Sequence, residues 1–167
     1  MNFPLLPTVL ADSLTDISPE YLQKTGIRLL MLDFDNTIVP YTTNVPTGEM
    51  SRWLERMKQS DIKLCVVSNS RKERVQIFCR EWGLPCITHA KKPFSKGIRE
   101  CLAMFDCPKE NCALAGDQIY TDTLGAGLAG IRSIRVKAIN NHNFWLKLRY
   151  VAEMPFIIAA KNRRIKL

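Results

Sequence analysis

An α/β fold, with a doubly wound, mostly parallel sheet between helices, is what the sequence predicts, on three observations. Short apolar runs recur along the chain, helix-length segments alternate with them, and charged or hydrogen-bonding residues stand where the runs end. Runs apolar on both faces mark buried parallel strands, and their alternation with helices implies right-handed crossovers and a site at the carboxyl ends of the strands.

The elements follow in order. Ile27 to Phe34 (IRLLMLDF) is a nearly continuous apolar run ending in acid, which predicts the first buried strand. Thr47 to Ser60 predicts a helix with Thr47 as N-cap, and Ile62 to Ser68 (IKLCVVS) the next strand. Arg71 to Trp82 reads as a helix closed by Gly83, Pro85 to Thr88 as a short strand, and Ser95 to Phe105 as a helix. Cys112 to Gly116 (CALAG) and Ile131 to Val136 (IRSIRV) are further strands, with a helix at Thr121 to Leu128 closed near Gly130. Met1 to Gly26, rich in Leu and Pro, is left open between docking on the domain and docking on a membrane.

The 167 residues suit one domain, with a core at about 27–136 and a basic, aromatic C-terminal segment at about 139–167. At 46% hydrophobic and 24% charged residues the chain has too many apolar side chains for a disordered one. No apolar run approaches the ~18 residues of a membrane span. The start lacks the basic flank of a signal peptide, so the expected location is cytoplasmic. None of the six cysteines forms a CxxC pair, and several sit in apolar segments, which favours reduced thiols over a disulfide scaffold or zinc site. The two histidines, His89 and His142, are too few for a His-based metal centre.

Charge is distributed unevenly. The chain carries 24 Lys or Arg against 16 Asp or Glu, a net +8, yet up to Gly130 the two signs balance at 15 each. The whole excess lies in the last 37 residues, with nine basic residues against Glu153 alone. From Phe144 to Leu167, Phe144, Trp145, Leu148, Tyr150, Phe156 and Ile157 interleave with Lys147, Arg149, Lys161, Arg163, Arg164 and Lys166. Three readings stay open for this segment: an anionic membrane surface, packing on the protein's own core, or RNA and ribosome contact. Its helical periodicity is not clean, since Lys147 and Arg149 point in different directions.

The polar strand ends define a candidate site. Asp33 and Asp35, two residues apart on an extended chain, can face one small volume. With Asp117 they make a hard oxygen set that favours Mg²⁺ over zinc. Lys92 can neutralise a phosphoryl oxygen, and Ser68 and Asn69 add neutral donors. Such a site suits phosphoryl transfer to an aspartate followed by hydrolysis, with Asp35 protonating the leaving alcohol and later deprotonating water. Bland readings stand beside these: DxD as a turn or cap, Ser68-Asn69 as a turn, Lys91-Lys92 as a solvated pair, Asp117 and Asp122 as helix caps. Arg71 and Arg74 read as a solvated helix face, with phosphate or headgroup contact as the alternative.

Asp33-Phe34-Asp35-Asn36-Thr37 resembles the DxDxT signature of haloacid-dehalogenase-type (HAD) phosphatases. Ser68 resembles their second motif, Lys92 the third, and Gly116-Asp117 with Asp122 (GDQIYTD) the fourth. The resemblance implies a HAD-like (Rossmannoid) sheet, with Asp33 as nucleophile and metal ligand and Asp35 as acid/base that binds metal through its backbone carbonyl. It also implies Ser68 and Lys92 on the phosphate, Asp117 on Mg²⁺ and Asp122 orienting the site from behind. Few residues follow Thr37 before the next helix, or Thr88 before Lys92, so no large cap domain fits. By analogy with the family, an open site serves substrates too large to enclose. Gly26-Ile27 leading into LDFDNTIVP, then VVSNS, AKKP and GDQIYTDTLGAG, is similar to the capless IIIA subclass of the bacterial YqeG proteins and mitochondrial-type phosphatidylglycerophosphatase. That resemblance implies conversion of phosphatidylglycerophosphate to phosphatidylglycerol at the inner face of a membrane. The alternatives are a HAD phosphatase acting on a nucleotide or sugar phosphate, and a basic ribosome- or RNA-associated adaptor that keeps the fold.

Overall fold

In the computed structural model, which describes residues 3–71, 73–140 and 144–162, six strands form one sheet. They are β1 (Val9–Leu10), β2 (Leu29–Leu32), β3 (Lys63–Val67), β4 (Cys86–Ile87), β5 (Cys112–Gly116) and β6 (Arg132–Arg135), in the spatial order β1-β6-β5-β2-β3-β4. Every pairing is parallel. The helices are α1 (Pro19–Lys24), α2 (Gly48–Lys58), α3 (Glu73–Trp82), α4 (Lys96–Phe105), α5 (Leu124–Ala129) and α6 (Phe144–Asn162), and a wider π-type turn at Ile119–Thr123 leads into α5.

The two-residue period of the strands sorts the core into two layers. Leu30, Leu32, Leu64, Val66, Ala113 and Ala115 point to the side covered by α2 and α3, where Met50, Trp53, Leu54, Met57, Val75 and Phe78 bury. Leu29, Met31, Cys65, Val67, Cys112 and Leu114 point to the other side, against Ile98, Cys101 and Leu102 of α4 and Ala126 and Ala129 of α5. A strand buried on both faces cannot alternate in sequence, which is why these segments read as continuous apolar runs. α2 starts where expected: the Thr47 hydroxyl accepts from the Met50 N–H at 3.2 Å. Gly130, with φ of +77°, closes α5 in a left-handed conformation that glycine adopts without a side-chain clash.

Three elements go beyond the sequence expectations. The N-terminal stretch docks on the domain: β1 pairs with β6, Ile17 and Leu22 are buried, and the Trp53 indole N–H donates to the Ile17 carbonyl at 2.7 Å. A two-residue strand and a six-residue helix are too short to announce themselves by periodicity. The C-terminal segment forms one long helix, α6, with Pro155 inside it. Its charges break the helical pattern because Lys147 faces water while Arg149 and Glu153 face the domain. All six cysteines are free thiols. Arg163, Arg164, Lys166 and His142, and the side chains of Phe144 and Trp145, lie outside the described residues.

Candidate active site

β2, β3, β4 and β5 each deliver a polar group to one rim. β2 hands on to Asp33, whose N–H still pairs with the Ala115 carbonyl at 2.9 Å, so its position is set by the sheet. Asn36, buried and at φ +63°, turns the chain sharply after the strand, a conformation Asn tolerates better than most residues. Its side-chain amide donates to the Asn140 carbonyl at 2.7 Å, and the Ile139 N–H donates back to the Asn36 carbonyl at 3.0 Å. The DxDxT turn is thereby tied to the connection that leads into α6. The Thr37 hydroxyl lies 3.3 Å from Asp33 Oδ2 and 3.5 Å from Asp117 Oδ1.

Lys92 occupies the centre. Its ammonium is buried 2.7 Å from Asp33 Oδ1 and 2.7 Å from Asp122 Oδ1. Burial pulls this lysine toward the neutral form, but Asp122 and Asp33 outweigh it and hold the group above the ordinary lysine value. Asn69 fixes the backbone of Lys92 from both sides: its Oδ1 accepts from the Lys92 N–H at 2.6 Å and its Nδ2 donates to the Lys92 carbonyl at 2.8 Å. The sequence places Asn69 among the phosphate donors; in the structure its amide is engaged in positioning Lys92. Ser68 is buried at the end of β3, its Oγ accepting from the Ser70 N–H at 3.1 Å.

Asp33, Asp117 and Asp122 each offer a carboxylate oxygen, all within 4.8 Å of one another and buried. Burial first, then the charges of Asp33 and Asp122, push Asp117 up to about 8, and burial raises Asp122 to about 6 against the pull of Lys92. Asp122 reaches this position because it packs against bare backbone: a β-carbon at Gly116 would overlap its carboxylate. From within the turn Asp122 also reaches back to its start, its Oδ2 accepting from the Gln118 N–H at 3.1 Å.

Of the expected metal residues Asp33, Asp35 and Asp117, the structure clusters the carboxylates of Asp33 and Asp117 and adds that of Asp122. The carboxylate of Asp35 turns instead to the guanidinium of Arg74, 2.9 Å away. Arg74 is a mostly buried part of the site and no solvated face: it donates to the carbonyls of Tyr41 at 2.6 Å and Pro40 at 3.2 Å and lies 5.0 Å over the Phe34 ring. α3 makes this contact because its N-terminal turn stands beside the β2 loop. Sequence reasoning also missed Arg149. From α6 its Nη2 donates to Asp117 Oδ2 at 3.0 Å. Glu153, one helical turn on, is buried, accepts from the Ile119 N–H at 2.9 Å and lies 3.8 Å from both Arg149 and Arg135; burial raises it above the usual glutamate value. No local signal marks Arg149, since 32 residues of chain separate it from Asp117.

The family model described as mitochondrial PGP phosphatase matches residues 3–139. The chain belongs to that family. Its relatives include the Bacillus subtilis (strain 168) protein named "Probable phosphatase YqeG", 30% identical over 159 residues, which span 95% of this chain and 92% of that one. Among solved structures, the cobalt-bound deoxy-D-mannose-octulosonate 8-phosphate phosphatase of Haemophilus influenzae covers 82% of this chain and 91% of its own at 10% identity, with a TM-score of 0.55. A HAD-superfamily hydrolase of Ehrlichia chaffeensis covers 78% and 98% at 16% identity, with a TM-score of 0.52. These likenesses establish the HAD-like fold, and the family makes this PGP phosphatase relative a HAD-type phosphatase, a phosphomonoester hydrolase.

HAD phosphatases generally use Mg²⁺, and the buried carboxylates fit a hard divalent cation. Three buried carboxylates, Asp33, Asp117 and Asp122, face two cations, Lys92 and Arg149, and burial first, then neighbouring carboxylates, raises Asp117 and Asp122. A set made only of oxygens suits magnesium.

Proposed function

We propose that the chain is a Mg²⁺-dependent phosphatase that removes the terminal phosphate of phosphatidylglycerophosphate by way of a phosphoryl group carried on Asp33. The observation that supports it best is the buried cluster of Asp33, Asp117 and Asp122 around Lys92, set at an open strand-end rim in a PGP phosphatase family member. Asp33 and Asp117 would hold the ion through their carboxylates and Asp35 through its backbone carbonyl, with Asp122 behind them. When bound, Mg²⁺ adds positive charge against the phosphate oxygens.

Asp33 attacks phosphorus through a carboxylate oxygen, forming an acyl phosphate as the ester P–O bond breaks. Asp35, oriented by Arg74, gives a proton to the departing alkoxide. It then takes a proton from the water that attacks the acyl phosphate, releasing inorganic phosphate and restoring Asp33. Lys92 and the Ser68 hydroxyl hold phosphate oxygens, and Asn69 keeps Lys92 in line. The product is phosphatidylglycerol, and a diacyl lipid fits a rim with no cap above it. The site of action in this reading is the inner face of a membrane; among the described residues no helix is long and apolar enough to cross one.

The test is phosphate release from phosphatidylglycerophosphate in detergent, with and without Mg²⁺, set against para-nitrophenyl phosphate. Release from the lipid at the higher kcat/KM, lost on chelation, is expected. Equal turnover of both removes the lipid as the preferred substrate and leaves the phosphatase intact.

Stability should also depend on pH in a definite direction. A carboxyl raised by folding binds its proton more tightly in the native state, so native stability falls as pH climbs from the unfolded value toward the folded one. For Asp122 and Asp117 that window runs from near 4 to about 8. Metal-free protein should therefore melt lower at pH 8 than at pH 6, and Mg²⁺ should raise the melting temperature more at pH 8. Calorimetry showing a flat metal-free profile, or a larger Mg²⁺ effect at pH 6, contradicts this.

A further inference from the structure

α6 packs one stripe on the domain and leaves a second, apolar stripe in solvent. Its inward stripe holds the charges: Arg149 on Asp117, and the buried Glu153 on the Ile119 N–H, followed by buried Ile157 and Ala160. Its outward stripe is apolar. Leu148 is 51% exposed, Val151 64% and Ile158 49%, with exposed Ala152 and Pro155 between them. These positions repeat at the helical spacing and so share one face. Exposed cations bracket the stripe, Lys147 at its start and Lys161 at its end, and the sequence continues with Arg163, Arg164 and Lys166.

The helix is anchored at the catalytic rim. Arg149 on its inward stripe pairs with Asp117, and the turn after Asp33 is tied through Asn36 to Asn140, which precedes α6 in the chain. Two further apolar side chains stand out on loops of this rim, Val45 at 73% exposure and Phe94, two residues beyond Lys92, at 72%.

We propose that the outward face of α6 docks on an anionic lipid bilayer and brings the strand-end rim to the headgroups. An apolar stripe between cations fits the boundary of acyl chains and anionic headgroups, which accepts both parts at once. A second copy of the chain fits poorly, because a two-fold pairing of this face sets one copy's cations against the other's. RNA fits poorly too, since phosphate contacts would leave Leu148, Val151 and Ile158 in water. The docking surface rests on the proposed lipid substrate for its purpose, as a site that must reach a headgroup needs a means of approach.

The test is co-sedimentation of the full chain with phosphatidylcholine vesicles that contain phosphatidylglycerol, against phosphatidylcholine alone, for the native protein and for L148Q/V151Q/I158Q. None of the three residues touches the site, so para-nitrophenyl phosphate turnover and melting temperature report an intact fold. Expected are salt-sensitive binding of the native protein to the anionic vesicles and a loss of about tenfold or more in the triple variant. Hydrolysis of phosphatidylglycerophosphate should fall by a similar factor in vesicles and stay unchanged in detergent. Vesicle binding by the variant equal to the native protein overturns the proposal. So does a native dimer that the variant converts to monomer, or retention on RNA with no binding to vesicles. If the variant does not fold, hydrogen exchange of the native protein decides: slower exchange across 147–161 on anionic vesicles supports docking, and unchanged exchange overturns it. Vesicle binding without hydrolysis of the detergent-dispersed lipid removes the substrate reading alone and leaves the surface standing.

Discussion

Asp33→Asn should stop phosphate release while leaving the fold intact. An amide has the shape of the carboxylate but cannot attack phosphorus, so turnover should fall by at least ~10⁴-fold, as when a covalent nucleophile is removed elsewhere. The fold should tolerate the change because Lys92 keeps Asp122 as a partner 2.7 Å away. Asp33 is also one of the charges that raise Asp117 and Asp122, so its neutralisation relieves repulsion and the metal-free melting temperature should hold or rise. Phosphate release and a melting curve on one preparation check both halves. A folded variant with native turnover removes Asp33 as nucleophile, and a collapsed melting temperature shows that Lys92 depends on it for its place.

Lys92→Met should have the largest effect on stability. The ammonium is buried between two carboxylates, and its removal leaves both without it in a site where burial already disfavours the charge of Asp122. Breaking a buried pair from one side destabilises by about 3–5 kcal/mol, because the remaining charge has neither water nor partner. For a chain of this length that is a fall of roughly 10 °C in melting temperature. The deficit should shrink as pH drops and Asp122 takes up its proton, the direction set by a native value above the unfolded one. Asp33→Asn in the Lys92→Met background should recover part of the loss, a larger gain than the same change gives in the native background. Thermal melts of the single and double variants across pH read all of this. A melting temperature within about 2 °C of the native protein at neutral pH would mean that Lys92 does not balance these carboxylates.

Much of this site can be read along the chain. Asp33, Ser68 and Gly116-Asp117 each end an apolar run, and a buried parallel strand must deliver its last residue to the carboxyl rim. Lys92 was equally legible, because it follows a short strand and precedes a proline. What escaped the sequence is the partner of each charge. Arg74 lies on a helical face that would suit solvent, yet α3 packs its first turn beside the β2 loop and delivers the guanidinium to Asp35. Asn69 looked like a donor to substrate, but the loop after β4 brings the Lys92 backbone to both ends of its amide. Asp122 joins Asp33 and Asp117 because Gly116 has no side chain to keep it away.

Local order determined the frame: runs of apolar residues on both faces, capped helices between them, and acids or hydroxyls at the strand ends. These depend on neighbours within a few residues, which is the range over which periodicity and capping act. The position of the +8 tail was likewise plain from the sequence, and its orientation was not. α6 is apolar around much of its circumference, with Arg149 and Glu153 beside Ile157 and Ala160 on one stripe and Leu148, Val151 and Ile158 on another, so periodicity leaves its orientation open. The partners of the first stripe, Asp117 for Arg149 and the Ile119 N–H for Glu153, come together only once the sheet and the turn before α5 have assembled, so the tertiary structure alone decided which stripe turns inward.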